Sequence, residues 1–381
     1  MSDTAIVSLV HLDTYSPKAV DAALVRLLAP LGGIEAFVKS GDDVVLKPNF
    51  LRAAVPEKAL TTHPEIIRGV ARLVQRHEVS RIRVTDSCAV GTATRVARRL
   101  GLITDDTSFA VVDADEGTQT EAPGNRFHRL TLSSEILNAG VLINLPKVKT
   151  HGQMVLTGAV KNMFGAVVGL EKMQWHFRIG KDTEAFARLL VDISERVSAS
   201  LSIIDGVYGM EGNGPGSGDP RPLGLLMAAA NPHAADAVLC RILRIPENQV
   251  LTLKVAAEMG LLPSKENISI VGDAVESFQL DRPWKSARPL TLNFVQSQRL
   301  APLLNRIVSV RPHIDRRRCT VCGQCIRSCA AKAMRLQPSV PPMGAIAIDS
   351  SRCISCFCCQ EICPTGAITI KTGFLARLLG L

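Results

Sequence analysis

The chain carries Cys319-Thr-Val-Cys322-Gly-Gln-Cys325-Ile-Arg-Ser-Cys329 and, 34 residues further on, Cys353-Ile-Ser-Cys356-Phe-Cys358-Cys359-Gln-Glu-Ile-Cys363-Pro364. Both runs space their cysteines by two, two and three residues. Three thiolates so spaced converge on three corners of one [4Fe-4S] cubane, while the fourth cysteine of each run ligates the other cube. The spacing assigns Cys319, Cys322, Cys325 and Cys363 to cluster 1, and Cys353, Cys356, Cys359 and Cys329 to cluster 2. Zinc knuckles also use Cys-x2-Cys pairs, but they rarely repeat a run of four. Two details depart from the usual pattern. Ala330 follows the first run where Pro364 follows the second, and Cys358 stands beside Cys359 as a rival ligand. Only Cys359 keeps the spacing.

This is the arrangement of a bacterial two-cluster ferredoxin, so a small α+β module is expected over 313–381 behind a linker at 301–312. The connector around that linker, from about Gln279 to His313, is punctuated by Asp281-Arg282-Pro283, Ala287-Arg288-Pro289 and Arg311-Pro312, with an amphipathic segment at Leu300–Val308. The apolar end, Phe374 to Leu381, is short and carries one cation. It is expected to pack on the body or a partner rather than on a membrane.

At 381 residues the chain is too long for that module alone. Aromatic residues make up only 4%, which argues against surfaces built on base stacking. No apolar run is long enough to span a bilayer, and the N-terminus shows no secretory signal. Eight of the eleven cysteines fall in cluster spacing, leaving Cys88, Cys240 and Cys358. That usage fits a reducing, cytoplasmic location. Residues 311–381 hold ten Lys/Arg against three acids, so +7 of the net +9 lies there. Two oxidised clusters with their thiolates would each bring about −2. Arg316-Arg317-Arg318 then compensates cluster charge or docks an acidic redox partner. Nucleic-acid binding is set aside on this ground.

Residues 1–300 alternate β-branched apolar runs with amphipathic helical stretches. Strands are expected at Ala5–Val10, Val44–Lys47, Arg81–Thr85, Phe109–Val112, Val141–Leu145, Leu201–Ile204, Leu223–Ala228 and Ile268–Val271. Helices are expected at Lys18–Leu28, Pro64–His77, Thr92–Leu100, Thr183–Ala199 and Ala234–Leu243. The pattern predicts an α/β domain with a mainly parallel open sheet and flanking helices.

Ligands of such sheets gather beyond the carboxyl ends of the strands. Those ends read Lys47-Pro48-Asn49, Asp86-Ser87-Cys88, Asn144 through Lys147, Lys149 and His151, and Asp205-Gly206. Lys47, Lys147, Lys149, Lys161 and Lys172, with His151 and His176, could together neutralise a carboxylate or phosphate. A lysine desolvated among other cations could also exchange protons. Cys88 reads as a small buried residue. The glycine-rich stretch 206–218 matches no phosphate-loop pattern and is either a lid or anion-binding turn, or a surface connection.

Leu46-Lys47-Pro48-Asn49, Asn144 to His151, Gly158-Ala159-Val160-Lys161-Asn162-Met163-Phe164-Gly165, Ile204-Asp205-Gly206 and Met210 to Pro215 together resemble the bacterial and archaeal family called "domain of unknown function 362". The resemblance spans roughly residues 5 to 275. It implies that these residues recur together, often with a ferredoxin-like companion, and supplies no activity.

The sequence thus points to an iron–sulfur oxidoreductase that passes low-potential electrons from two [4Fe-4S] clusters to a small anionic substrate in the α/β domain. His151, Lys147 and Asp205 are the candidate catalytic residues. Lys47, Asn49, Lys149, Lys161, Asn162, Glu211 and Asn213 are candidates for substrate binding. A redox partner protein is expected. The alternative is a non-catalytic electron carrier or assembly protein whose α/β domain docks such a partner.

Overall fold

The computed structural model describes residues 4–104, 108–122, 126–169, 171–180, 182–278, 280–286, 311–338 and 344–371. Residues 301–310 of the expected 301–312 linker, the segment Leu300–Val308 and the tail from Phe374 lie outside the described residues.

The α/β domain contains strands β1 (Ala5–His11), β2 (Asp43–Pro48), β3 (Arg81–Val84), β4 (Ala110–Val111), β5 (Gly117–Glu121), β6 (Arg129–Ser133), β7 (Val141–Leu145), β8 (Lys147–His151), β9 (Val155–Thr157), β10 (Leu201–Glu211), β11 (Asp219–Ala229) and β12 (Ile268–Gly272). The principal helices are α1 (Pro17–Leu28), α2 (Pro64–Gln75), α3 (Ala93–Arg99), α4 (Ser134–Leu137), α5 (Ala159–Asn162), α6 (Glu171–Ile179), α7 (Thr183–Val197), α8 (Pro232–Leu243) and α9 (Leu251–Glu258). The main sheet runs β12-β1-β11-β10-β7-β2-β3-β4. Its pairings are parallel except at β11, which lies antiparallel between β1 and β10. Pleating sends successive side chains to opposite faces. Val44 and Leu46 of β2 therefore pack with α1 and α2, while Val45 joins the core under α7 on the other face. Strands covered on both sides carry continuous apolar runs, as Val44–Leu46 of β2 and Val141–Ile143 of β7 do.

Helix starts follow local chemistry. Pro64 opens α2, and the His63 ring accepts the Glu65 N–H. Asn231 caps α8 through the N–H groups of His233 and Ala234.

Two local expectations change. The strand expected to stop at Ile204 continues to Glu211, with a register shift between Gly206 and Tyr208. Gly206 is needed for close approach rather than for a turn, because a Cβ there would lie 3.1 Å from Leu225 and Val148 atoms. Only residues 212–218 are left to connect β10 to β11. The residues after Leu145 are also no loop. Pro146 redirects the chain into β8, which pairs in parallel with the far half of β10 and antiparallel with β9.

Behind the α/β domain, the C-terminal module pairs β13 (Arg311–Ile314) with β16 (Ile368–Lys371) and β14 (Met334–Gln337) with β15 (Ala345–Ile348). Two short helices, α10 (Gln324–Arg327) and α11 (Cys358–Ile362), sit in equivalent places within the two cysteine runs. Among the described residues no helix is long and apolar enough to cross a membrane.

Candidate functional site

The two cysteine runs curl in the same way. Val321 and Ser355 hold equivalent positions at φ 52° and 55°, and Gly323 and Phe357 follow at 72° and 60°. A β-branched valine in left-handed backbone is costly, and it persists only where the surroundings impose it. The loops wrap two small hollows. Cys319, Cys322, Cys325 and Cys363 line one; Cys329, Cys353, Cys356 and Cys359 line the other, with Cys358 beside them. The last cysteine of each run lines the hollow of the other run, the placement that a two-cluster ferredoxin uses. Among the described residues no group of three or more His, Cys, Asp or Glu is placed to hold a single metal ion. The residues present fit two cubes.

Alternation along β8 puts Lys147, Lys149 and His151 on one face, and each is buried by the elements over it. Their partners differ. Lys147 Nζ lies 2.8 Å from Asp205 Oδ2 and donates to Tyr15 Oη at 2.9 Å; Tyr15 in turn donates to Asp205 Oδ1 at 2.7 Å. The Tyr15 ring stacks on His63 at 3.5 Å. Lys149 Nζ donates to Asn49 Oδ1 at 2.6 Å and to the Leu60 carbonyl at 2.8 Å. Asn49 continues to Asn162 and Asn162 to Asn144, each at 2.8 Å. Lys47 pairs with Asp86 at 2.8 Å.

His151 reaches out of the domain. Its Nδ1 accepts the N–H groups of Gln153 and Met154, both at 3.2 Å, which leaves the proton on Nε2. Nε2 lies 2.8 Å from Glu361 Oε1, off the line of an ideal hydrogen bond. Gln360, next to it on α11, donates from Nε2 toward Asn213 Oδ1, Asn213 O and Gly214 O at 2.8, 3.0 and 3.1 Å. Arg52 Nη2 donates to the Gly216 carbonyl at 2.7 Å. A Cβ on Gly216 would strike the Glu361 carbonyl, so the 212–218 connection is a seat for α11.

Between these surfaces lies a cavity of about 290 Å³. Asn49, Lys149, Lys161, Asn162, Lys172 and His176 wall it from the α/β side, and Ser328, Cys358, Glu361 and Ile362 from the module. Phe50, Phe164 and Met173 add apolar wall, and Cys88 faces it as well. Lys47, Lys147, Asp205 and His151 stand behind the wall rather than in it. Glu211 is engaged elsewhere, by Arg221 at 3.0 Å and the Lys285 N–H at 3.1 Å, and Asn213 belongs to the α11 seat. Cys358 lines both this cavity and the cluster 2 hollow.

The charges in the wall are not balanced. Burial, then neighbouring Lys161, brings Lys149 down to about 7. Burial brings Lys172 to about 8, although Asp86 and Cys88 oppose the shift. Burial also lowers Lys161, against the pull of Glu361. His151 and His176 fall to about 4, burial being the main cause in both, and are neutral at pH 7. Burial alone would raise Glu361, yet His151 and Lys161 bring it to about 2. The contact to His151 is thus a neutral imidazole N–H facing a carboxylate. Three lysines line the cavity with Glu361 across from them and Asp86, paired with Lys47, on their own side, an arrangement that can hold an anion.

A family model described as Domain of unknown function (DUF362) matches residues 44–241, and one described as 4Fe-4S dicluster domain matches 318–367. The thylakoid-associated protein sll1697 of Synechocystis sp. is 38% identical over 265 residues, covering 69% of this chain and 82% of that protein. The lactate racemase apoprotein from Thermoanaerobacterium thermosaccharolyticum superposes with a TM-score of 0.38 at 10% identity over 64% of this chain, which spans 58% of that structure. The dicluster match identifies the C-terminal module as an iron–sulfur, electron-transfer unit.

Proposed function

This chain belongs to the family of the domain of unknown function (DUF362) and ends in a 4Fe-4S dicluster domain, and on that footing we propose that it is an oxidoreductase delivering electrons to a small anionic substrate in the shared cavity. One observation carries this reading. The cavity is walled on one side by Lys149 of β8, Lys161 of α5 and Lys172 of α6, and on the other by α11, the helix that holds Cys358 and Cys359.

In this reading the eight spaced cysteines hold two [4Fe-4S] clusters, as the crossed-over hollows support, and the bound clusters supply low-potential electrons one at a time. Lys161, Lys172 and Lys149 bind and polarise the anion, while Asn49 and Asn162 orient it. Lys149, with its pKa near neutrality, exchanges the proton. His151 acts through Glu361 as a positioning residue. Lys147 and Asp205, with Tyr15, hold β8 against β10. The cysteine usage supports a reducing setting such as the cytoplasm, and the relative's thylakoid association supports work beside a membrane face.

The test is thermal stabilisation of the anaerobic holoprotein by inorganic phosphate and by a series of mono- and dicarboxylates. Stabilisation that is lost in Lys161→Met and Lys172→Met, with iron content intact, is expected. If none of these anions stabilises the protein while a redox enzyme still reduces its clusters, the reading yields to the non-catalytic carrier.

A further inference from the structure

The two cluster hollows differ in what surrounds them. The second shares Cys358 with the cavity, and none of Cys329, Cys353, Cys356 and Cys359 is exposed. The first has one exposed ligand candidate, Cys322, with Cys325 and Cys363 buried. The turn just before Cys319 and the helix just after Cys322 are cationic. Arg316, Arg317, Arg318 and Arg327 are all exposed, and Arg327 Nη2 donates to the Cys322 carbonyl at 3.3 Å. Among the described residues none of these four guanidiniums has a carboxylate within ion-pair distance. Asp315, next to Arg316, accepts the Arg317 backbone N–H at 2.9 Å and opens the turn at 316–318.

We infer that electrons are taken up at cluster 1 from an acidic one-electron carrier protein that docks on Arg316, Arg317, Arg318 and Arg327. Uncompensated arginines around an exposed ligand steer a carboxylate-ringed partner and orient it at short range. Lys332, Arg335 and Arg352 are exposed in the segments beside the second hollow, but none of its four spaced cysteines is exposed and Cys358 joins it to the cavity, so that side is suited to passing electrons into the cavity. One electron leaves the carrier and is received at the centre that Cys319, Cys322, Cys325 and Cys363 would hold; no bond forms or breaks, and no proton is required. This inference goes beyond the proposed function, and it stands whether or not the cavity binds a substrate.

The probe is a reduced, acidic [2Fe-2S] ferredoxin mixed with the anaerobic holoprotein, with cluster reduction followed by stopped flow and binding by calorimetry. Between about 20 and about 300 mM salt, where screening shortens from long range to contact, the wild-type rate constant and affinity should fall about tenfold or more. R316Q/R317Q should lose most of that salt dependence and about tenfold in both readouts at low salt. Its iron content and its photoreduction by neutral deazaflavin should not change. Three results would overturn the inference: salt-independent wild-type rates, an equal loss in K332Q/R335Q/R352Q, or tighter binding of a duplex oligonucleotide than of the ferredoxin. Because reduction is read without an added anion, failure here is distinguishable from failure of the substrate reading.

Discussion

His151 Nε2 lies 2.8 Å from Oε1 of Glu361, and this contact ties the end of β8 to the helix between two cluster cysteines. At pH 7 the imidazole is neutral and the carboxylate ionised.

The docked arrangement should therefore be acid-sensitive. Once undocked, His151 and His176 would titrate near their ordinary value of about 6.5, and Glu361 near about 4.3. In place, the histidines are held to about 4 and Glu361 to about 2. The open state thus binds more protons at every step from pH 6.5 down to 2. Stability of the docked state is full above that window and falls through it. Hydrogen exchange at β8, β9 and α11, corrected for intrinsic rates, should be faster at pH 5 than at pH 7. Equal protection at both would contradict this.

Gln360→Leu should loosen the same seat. It would leave Asn213 Oδ1 and the Gly214 carbonyl without the Gln360 donor, and the Asn213 carbonyl with the Ser217 N–H alone, at a cost of about 1–3 kcal/mol. Gly216→Ala should act more strongly, since its methyl meets the Glu361 backbone rather than a flexible side chain. Both should lower the thermal midpoint and raise α11 exchange with iron content retained.

The cavity lysines carry the same trend to higher pH. A lysine held at about 7 or 8 in the fold and free near about 10.4 unfolded takes up protons on unfolding between those values, so stability rises with pH across that window. Between pH 7 and 9 the anion-free protein should gain stability, and Lys149→Met should flatten the slope. Anion affinity should fall over the same range as the charges are lost.

Cys359→Ser should lose roughly half of the iron, because it removes a cluster 2 ligand. Cys358→Ser should keep the iron while altering the wall between cluster 2 and the cavity. Loss of iron from Cys358→Ser alone would exchange the two roles.

Much of the fold was legible locally. β-branched runs such as 44–47 and 141–145 and the proline start of α2 are short-range signals. The cysteine spacing is equally local, and the strand-end lysines follow from sheet topology. Gly206 misled because a glycine required for close strand packing looks like one required for a turn. Lys147 and Lys149 read alike in sequence, yet only Lys149 faces the cavity, since Tyr15 and Asp205 enclose Lys147. Glu361 and Gln360 were invisible as site residues, because nothing near two residues among cysteines announces a partner on β8 or at Asn213.

The most direct measurement is iron, acid-labile sulfide and reduced-state spin quantified on one anaerobic preparation. The account predicts about eight irons, about eight sulfides and about two spins per chain. About four irons with a single spin, or zinc in their place, would contradict it.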